Sequence, residues 1–175
     1  MHSKLVIPIL ILLISFGNPN LGLDEENILY VGGHGEGNYS KIQDAINAAK
    51  DGDIIFVYDD SSPYYENLII NKSISLIGEN KETTIIDGNK EGDVVKILSD
   101  EVKISGFTIR NSKEEYESAG IVIYNADNII IEDNIITGNG DQGIRIYSSD
   151  KNVIKRNIIS NNVFYGIWLY SSKII

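Results

Sequence analysis

The chain alternates short apolar runs with polar turn residues, and this pattern repeats with a period of 23 residues. Residues 127–149 (DNIIIEDNIITGNGDQGIRIYSS) align with residues 150–172 (DKNVIKRNIISNNVFYGIWLYSS). The runs are rich in isoleucine and too short for helices, and Asn, Asp, Gly and Ser separate them. Three short strands and three tight turns fit within one unit, so the pattern predicts coils of β-strand that stack on one another.

Alternation within each run assigns the side chains to an inner and an outer face of the stacked coils. In the last strand of one unit, we expect Ile144 and Ile146 inside and Arg145 and Tyr147 outside. The matching positions one unit later are Ile167 and Leu169 inside, with Trp168 and Tyr170 outside. Each strand therefore contributes one apolar face to a shared core.

Asparagines mark the turns at the same offset of 23 residues. Asn134 recurs as Asn157, and Asn139 recurs as Asn162. Stacked amides can hydrogen-bond along the ladder and satisfy polar groups that the turns would otherwise leave unpaired. The sequence thus predicts an all-β fold, a single-stranded parallel β-helix.

The pattern extends towards the N-terminus with insertions. Gly120–Tyr124 aligns with the strand one unit later, but the preceding loop, residues 112–118 (SKEEYES), is longer by roughly four residues. Insertions of this kind map to loops on one face of a repeat protein. Residues 73–98 contain an earlier and less regular coil.

A short helix is predicted at about 40–50, ahead of the coils at about 54–175. Ser40 and Gln43 have the spacing of a capping box, and Gly52 suits a left-handed turn after the helix. Ile54–Tyr58 would be the first strand. The apolar residues of the helix fall on one face, at Ile42, Ala45, Ile46 and Ala49. We expect this stripe to cover the open end of the first coil.

The sequence from Tyr39 to Asn89 resembles the opening of right-handed parallel β-helix proteins of the NosD-like and pectinesterase-like groups. The shared elements are Ile-Gln-x-Ala-Ile, Gly-Asp-x-Ile-x-Val, Tyr-x-Glu-Asn, and Leu-Ile-Gly-Glu before Ile-Ile-Asp-Gly. The resemblance covers residues 30–175 and implies a right-handed, pectin-lyase-like solenoid. This architecture hosts lyases, esterases, binding modules and structural spacers, so it does not determine the function.

Residues 1–22 resemble a signal peptide, because the apolar run Leu5–Phe16 follows MHSK. The alternative is an uncleaved N-terminal anchor. Residues 23–175 are predicted to form one β-helix domain. The chain stops at Lys173–Ile175, where another coil would open without a cap. This predicts either a short or truncated member of a longer family, or end-to-end self-association through the last coil.

The charge of the chain limits its partners. The formal net charge is −10, and without the leader 14 basic residues face 25 acidic ones. This acidity argues against nucleic acid and anionic membranes as partners. It favours a secreted or cell-surface protein. Cysteine is absent, so no disulfide can form.

The resemblance implies an aspartate pair with glutamines and an arginine for a pectinesterase-like enzyme. For a pectate-lyase-like enzyme it implies a basic residue beside calcium-binding acids. We find neither arrangement, because Gln43 and Gln142 are the only glutamines and no arginine lies in an evident cluster of acids. NosD-like proteins are associated with copper, which needs His, Cys or Met ligands. Only His34 lies outside the leader, so we predict no catalytic residues and no copper site.

Stacked charges have a simpler explanation. At the 23-residue offset, Glu132 lies over Lys155 and Asp133 over Arg156, which predicts stabilising cross-strand pairs. Asp127 over Asp150 is a like-charge pair at a turn, with Glu101 as a further candidate. Paired carboxylates beside turn carbonyls suit calcium, so Asp127 and Asp150 are weak calcium candidates. The alternative is simple tolerance of the two charges at a solvated turn.

The outer face of the last strand in each unit carries the strongest functional pattern. Tyr124, Tyr147 and Tyr170 should form one column, and Arg145 and Trp168 should lie in the neighbouring column with Val122. Aromatic rings with polar groups suit half-wet surfaces, so this row predicts a platform for sugar rings. The alternative is that the tyrosines only stabilise the sheet.

These observations predict an exported, non-catalytic β-helix protein that binds or packs against polysaccharide. One alternative is a carbohydrate-active enzyme of the lyase or esterase type. Another is a purely structural module of a larger surface assembly. The aromatic columns favour binding over catalysis, because the sequence offers no convergent acid and base.

Overall fold

The computed structural model describes residues 27–172, which form a solenoid of three parallel β-sheets. The six-stranded first sheet has the order β1-β2-β5-β8-β11-β14. Its strands are β1 (Ile28–Val31), β2 (Ile54–Val57), β5 (Ser75–Gly78), β8 (Lys103–Ser105), β11 (Ile130–Glu132) and β14 (Val153–Lys155). The predicted leader, residues 1–22, and the predicted open end, Lys173–Ile175, lie outside the described residues.

The second and third sheets have five strands each, and every strand pair is parallel. The second sheet comprises β4 (Leu68–Ile70), β7 (Val95–Ile97), β10 (Ala119–Tyr124), β13 (Gln142–Tyr147) and β16 (Tyr165–Tyr170). The third comprises β3 (Tyr64–Tyr65), β6 (Ile85–Asp87), β9 (Thr108–Arg110), β12 (Ile135–Thr137) and β15 (Ile158–Ser160). From β2 onwards each coil contributes one strand to every sheet, whereas β1 is followed by a helix. This arrangement confirms the predicted right-handed parallel β-helix.

The register of the strands follows the 23-residue repeat. Ile144 of β13 pairs with Ile121 of β10 and Ile167 of β16. The inner side chains of the central coils, such as Ile144 and Ile146, are fully buried. Leu169 stacks over Ile146, as predicted, but it is 38% exposed. No described coil covers β16, so its inner face is only partly enclosed.

The predicted asparagine ladders are confirmed. Asn134 and Asn139 are fully buried. The backbone N–H of Asn134 donates to Asn157 Oδ1 at 2.9 Å, and that of Asn139 donates to Asn162 Oδ1 at 3.1 Å. Their side-chain amides donate to the same oxygens at 3.2 and 2.9 Å. The turns are thus held together between coils by side chains rather than by backbone groups alone.

The N-terminal region departs from the sequence prediction in two respects. A strand, β1, precedes the helix, so Ile54–Tyr58 is not the first strand. Helix α1 spans Ile42–Ala48, and its N-cap is Lys41, which makes no side-chain capping bond. The capping box of Ser40 and Gln43 was therefore wrong. The apolar stripe is confirmed, since its four predicted residues are all buried.

Two charged side chains from the next coil hold the ends of α1. The carboxylate of Glu66 accepts the N–H groups of Ile42 at 2.8 Å and Gln43 at 3.0 Å. At the other end, Lys72 Nζ donates to the carbonyls of Ile46 and Asn47 at 3.1 and 2.7 Å. The negative charge of Glu66 lies at the positive N-terminal end of the helix dipole, and the positive charge of Lys72 lies at its negative C-terminal end. Both charges therefore stabilise the helix. Within residues 27–172, no helix is long and apolar enough to cross a membrane.

Candidate functional site

An aromatic cleft of about 520 Å³ lies on the outer face of the second sheet. It brings together all five predicted ligand-binding residues, and two further residues come from the 112–118 loop. The residues that line it are Tyr116, Glu117, Tyr124, Arg145, Tyr147, Trp168 and Tyr170. The repeat supplies the sheet wall, and the inserted loop supplies the facing wall.

The tyrosine ladder (Tyr124, Tyr147 and Tyr170) forms as predicted. Ring centroids are 5.2 Å apart for Tyr124 and Tyr147, and 5.1 Å apart for Tyr147 and Tyr170. The rings are nearly parallel, at 14° and 11°, which is an offset-stacked arrangement. Because each ring partly covers the next, the ladder presents ring edges and phenol groups at regular intervals. The ladder is therefore a row of parallel ring edges rather than one flat platform.

Trp168 extends this aromatic surface sideways. Its ring centroid lies 5.8 Å from that of Tyr170, at an interplanar angle of 15°. Both residues belong to β16 and point to the same outer face, because they are two positions apart. Tyr170 is 52% exposed and Trp168 is half-buried, so both rings remain accessible.

The neighbouring column contains Val122, Arg145 and Trp168 in register. Val122 was predicted to be exposed on this face, but it is fully buried. The side chain of Arg145 retains only 15% exposure, and its Nη1 lies 3.3 Å from Glu117 Oε2. The guanidinium is thus a partly buried charge that is paired across the cleft.

The 112–118 loop is anchored to the coils on both sides. The N–H of Glu117 donates to Asp141 Oδ2 at 2.7 Å, and the N–H of Lys113 donates to the carbonyl of Gly92 at 2.9 Å. Gly140 N–H donates to Ser112 Oγ at 2.9 Å. These bonds place Tyr116 and Glu117 at the cleft. In the sequence, this wall is visible only as the insertion at residues 112–118, which predicts a loop but no functional role for it.

Asp93 is a second carboxyl group near Arg145 that sequence reasoning missed. It precedes β7, is half-buried, and accepts the N–H of Ala119 at 2.9 Å through Oδ1. Burial raises the pKa of the Asp93 carboxyl, whereas the Ala119 N–H and the charge of Arg145 oppose this rise. Arg145 therefore pairs with Glu117 at 3.3 Å and interacts electrostatically with Asp93.

The predicted charge pairs between coils are confirmed, away from the cleft. Glu132 Oε2 lies 3.1 Å from Lys155 Nζ, and Asp133 Oδ2 lies 2.7 Å from Arg156 Nη2. Lys103 Nζ also contacts Glu132, at 2.7 Å. Hydrogen bonding from Lys103 and Lys155 lowers the pKa of the Glu132 carboxyl despite its burial. This network joins three coils of the first sheet.

The stacked aspartates act as hydrogen-bond acceptors at successive turns. The N–H of Asp150 donates to Asp127 Oδ1 at 2.7 Å, and the N–H of Asp127 donates to Asp100 Oδ1 at 2.7 Å. Asp100, rather than the expected Glu101, therefore continues the column. Over residues 27–172, no group of three or more His, Cys, Asp or Glu side chains gathers to hold a metal. Calcium at Asp127 and Asp150 stays a prediction.

Comparisons with known proteins agree with this architecture. The model of the right handed beta helix region family matches residues 27–175. A solved structure of pectin methylesterase in complex with a hexasaccharide is similar, with a TM-score of 0.54 and 14% sequence identity. The match covers 84% of this chain but 65% of that one, so this chain spans only part of the esterase fold. A search of curated proteins gave no match. The chain belongs to the right-handed β-helix family and has the pectin-lyase-like architecture.

Proposed function

We propose that this chain is an exported, non-catalytic β-helix protein that binds polysaccharide in the aromatic cleft. The observation that carries the proposal is the alignment of the tyrosine ladder with Trp168 and the Arg145–Glu117 pair in one open cleft. Aromatic rings offer apolar contact, and the phenol, guanidinium and carboxylate groups offer hydrogen bonds. Sugar rings need this combination, because they present apolar faces and hydroxyl groups together.

The spacing of the ladder suits a repeating ligand. Its rings recur every 5.1–5.2 Å along the solenoid axis. A sugar residue in an extended polysaccharide chain has a similar length, so successive residues can meet successive tyrosines. Each contact is individually weak, and several contacts along one chain add through effective concentration. The ligand would therefore be a polymer rather than a single sugar.

Export is proposed from the sequence. The apolar run Leu5–Phe16 has the length of a signal-peptide core and is too short for a confident membrane span. The acidic composition is consistent with a secreted or cell-surface protein that does not adhere to anionic surfaces.

Retention on immobilised polysaccharides tests the binding function. The purified protein should be retained by at least one polysaccharide, and the double variant Tyr147→Ala/Trp168→Ala should elute with the void. Tyr65→Ala is the matched control, because Tyr65 is 65% exposed on the third sheet, outside the cleft. Equal retention of the double variant and the native protein would contradict the proposal. Circular dichroism must show that all three proteins are folded.

The enzymatic alternative draws support from one arrangement, the two carboxyl groups around Arg145. Burial raises the pKa of Asp93, and a carboxyl group with a raised pKa beside a second one is a recurrent feature of acid–base sites. Any polysaccharide that is retained should be assayed for new reducing ends, unsaturated products and released ester groups. Product formation that Asp93→Asn abolishes would replace the non-catalytic proposal with the enzymatic one. Failure of the folded protein to bind any polysaccharide would favour the structural module.

A further inference from the structure

We infer that the aromatic cleft selects uncharged polysaccharide and excludes polyuronates, and that Glu117 is the residue that enforces this choice. The inference rests on the proposed polysaccharide-binding function and names the ligand class of the same cleft. It follows from the exposure of the two charged side chains in the cleft, the charge around them and the way in which Glu117 is held.

An incoming ligand meets the carboxylate before it meets the guanidinium. The side chain of Glu117 is 53% exposed, whereas that of Arg145 is 15% exposed. Glu117 Oε2 lies 3.3 Å from Arg145 Nη1 and occupies the position that a ligand carboxylate would need for the same contact. A uronate must therefore displace Glu117 or accept repulsion from it.

Arg145 is the one positive charge among the described residues that line the cleft, and Lys96, which pairs in register with Val122, interacts with Asp93. Apart from Glu117 and Arg145, the residues of the cleft are four tyrosines and one tryptophan. The carboxyl of Asp93, which accepts the N–H of Ala119 at 2.9 Å, interacts electrostatically with Arg145 and adds a further negative charge near the cleft. The formal net charge of −10 adds a long-range repulsion for polyanions. A neutral chain meets none of these penalties and can still hydrogen-bond to the Arg145–Glu117 pair.

The backbone holds Glu117 in place rather than leaving it on a mobile tip. Its positive φ, of 67°, recurs at turns throughout the described part of the solenoid, so its hydrogen bonds, rather than its backbone angle, distinguish this position. The N–H of Glu117 donates to the buried Asp141, whose side chain is fixed by Gln142 Nε2 at 2.7 Å. The anchored loop therefore presents the carboxylate to Arg145 at 3.3 Å.

The test compares binding of one neutral linear glucan and one polygalacturonate, by affinity electrophoresis of the full-length protein at fixed ionic strength. We expect the native protein to be retarded by the glucan and not by the polygalacturonate. Glu117→Gln should gain polygalacturonate affinity by about tenfold, since removal of one like charge frees Arg145 for the ligand. The readout is the ratio of the two affinities, which should shift towards polygalacturonate, because Glu117 can also hydrogen-bond to the glucan and its replacement changes that contact as well.

Glu115→Gln is the matched control, because it removes the same charge from the same loop outside the cleft, where Glu115 pairs with Lys113. An equal gain for both variants would overturn the inference, since only the overall charge would then matter. Preference of the native protein for polygalacturonate would overturn the inference and leave polysaccharide binding standing. Failure of both polymers and of all other polysaccharides to bind would overturn the binding function itself.

Discussion

Removal of the buried Asn134 amide should destabilise the solenoid more than any loss of a surface amide. Asn134 has no exposed surface and belongs to a turn between β11 and β12. Its Oδ1 accepts the N–H of Phe107 at 3.1 Å, and its Nδ2 donates to the carbonyls of Ile104 at 3.0 Å and Glu132 at 2.9 Å. One side chain therefore satisfies backbone groups in two adjacent coils.

The size of the effect follows from what Asn134→Ala leaves behind. The buried N–H of Phe107 loses its acceptor, and two carbonyl oxygens lose a donor. An unpaired buried polar group costs about 1–3 kcal/mol, and a carbonyl retains a second lone pair for other donors. We therefore expect the free energy of unfolding to fall by about 3 kcal/mol, mostly through the Phe107 N–H.

Urea unfolding followed by circular dichroism measures this loss, provided that the slope of the transition stays constant. The melting temperature should fall by about 6–12 °C for a chain of this size. Asn67→Ala is the matched control, because Asn67 is exposed and donates to the carbonyl of Asp93 at 2.8 Å. Water can replace that hydrogen bond, so Asn67→Ala should lower the free energy of unfolding by about 0.5 kcal/mol. Equal losses for the two variants would refute the reasoning.

The variant Asn134→Asp tests the acceptor role of Asn134 Oδ1 separately from the donor role of its Nδ2. The aspartate can still accept the Phe107 N–H, but only its protonated form can donate to the carbonyls of Ile104 and Glu132. Folding therefore raises the pKa of the introduced carboxyl, and the ionised form opposes folding as the pH rises. The deficit of this variant relative to the native protein should shrink as the pH falls. A deficit that is independent of pH would show that Nδ2 contributes little.

Three further variants test other parts of the structure. Burial raises the pKa of Asp93 above its ordinary 3.8, so ionisation opposes folding as the pH rises through that range. Asp93→Asn should therefore be more stable than the native protein at about pH 7, and urea titrations should show this gain vanishing at about pH 3. A methyl group at Gly140 would overlap the carbonyl of Lys113, so Gly140→Ala should displace the 112–118 loop. Limited proteolysis should then cut that loop faster, and unchanged cleavage would contradict the predicted overlap. Glu66→Ala removes the acceptor at the N-terminus of α1 and should lower the free energy of unfolding, measured by thermal unfolding, by about 1 kcal/mol. Glu66→Gln should lose less stability than Glu66→Ala, because its amide oxygen can still accept a hydrogen bond.

The repeat made the fold and the tyrosine ladder predictable from sequence. Identical residues at a fixed offset must stack in a solenoid, so the partners of Tyr147 in the neighbouring coils could be named without coordinates. The same logic gave the pairing of Glu132 with Lys155. In each case the offset alone determined the neighbour, and strand alternation determined the face.

Contacts that cross between non-equivalent positions could not be predicted in this way. The N-terminus of α1 is capped by Glu66, which lies 24 residues after Ile42 in a separate sequence motif. The local capping-box pattern at Ser40 was therefore misleading, because the carboxylate of Glu66, from the next coil, accepts the N–H groups at the start of the helix. Asp93 was missed for a related reason, because it lies outside the aligned strands, just before β7, and interacts with Arg145 of β13.

The cleft shows how a repeating scaffold acquires a specific site. The tyrosine column repeats from coil to coil and can offer the same contact to each unit of a polymer, which supports affinity without selectivity. The adjacent column changes from Val122 to Arg145 to Trp168, and the inserted loop adds Glu117 against the middle member. Selectivity must come from these non-repeating positions, because only they distinguish one place along the ligand from the next. Substitutions in the ladder should therefore weaken all polysaccharides alike, whereas substitutions at Glu117 should change the ratio between them.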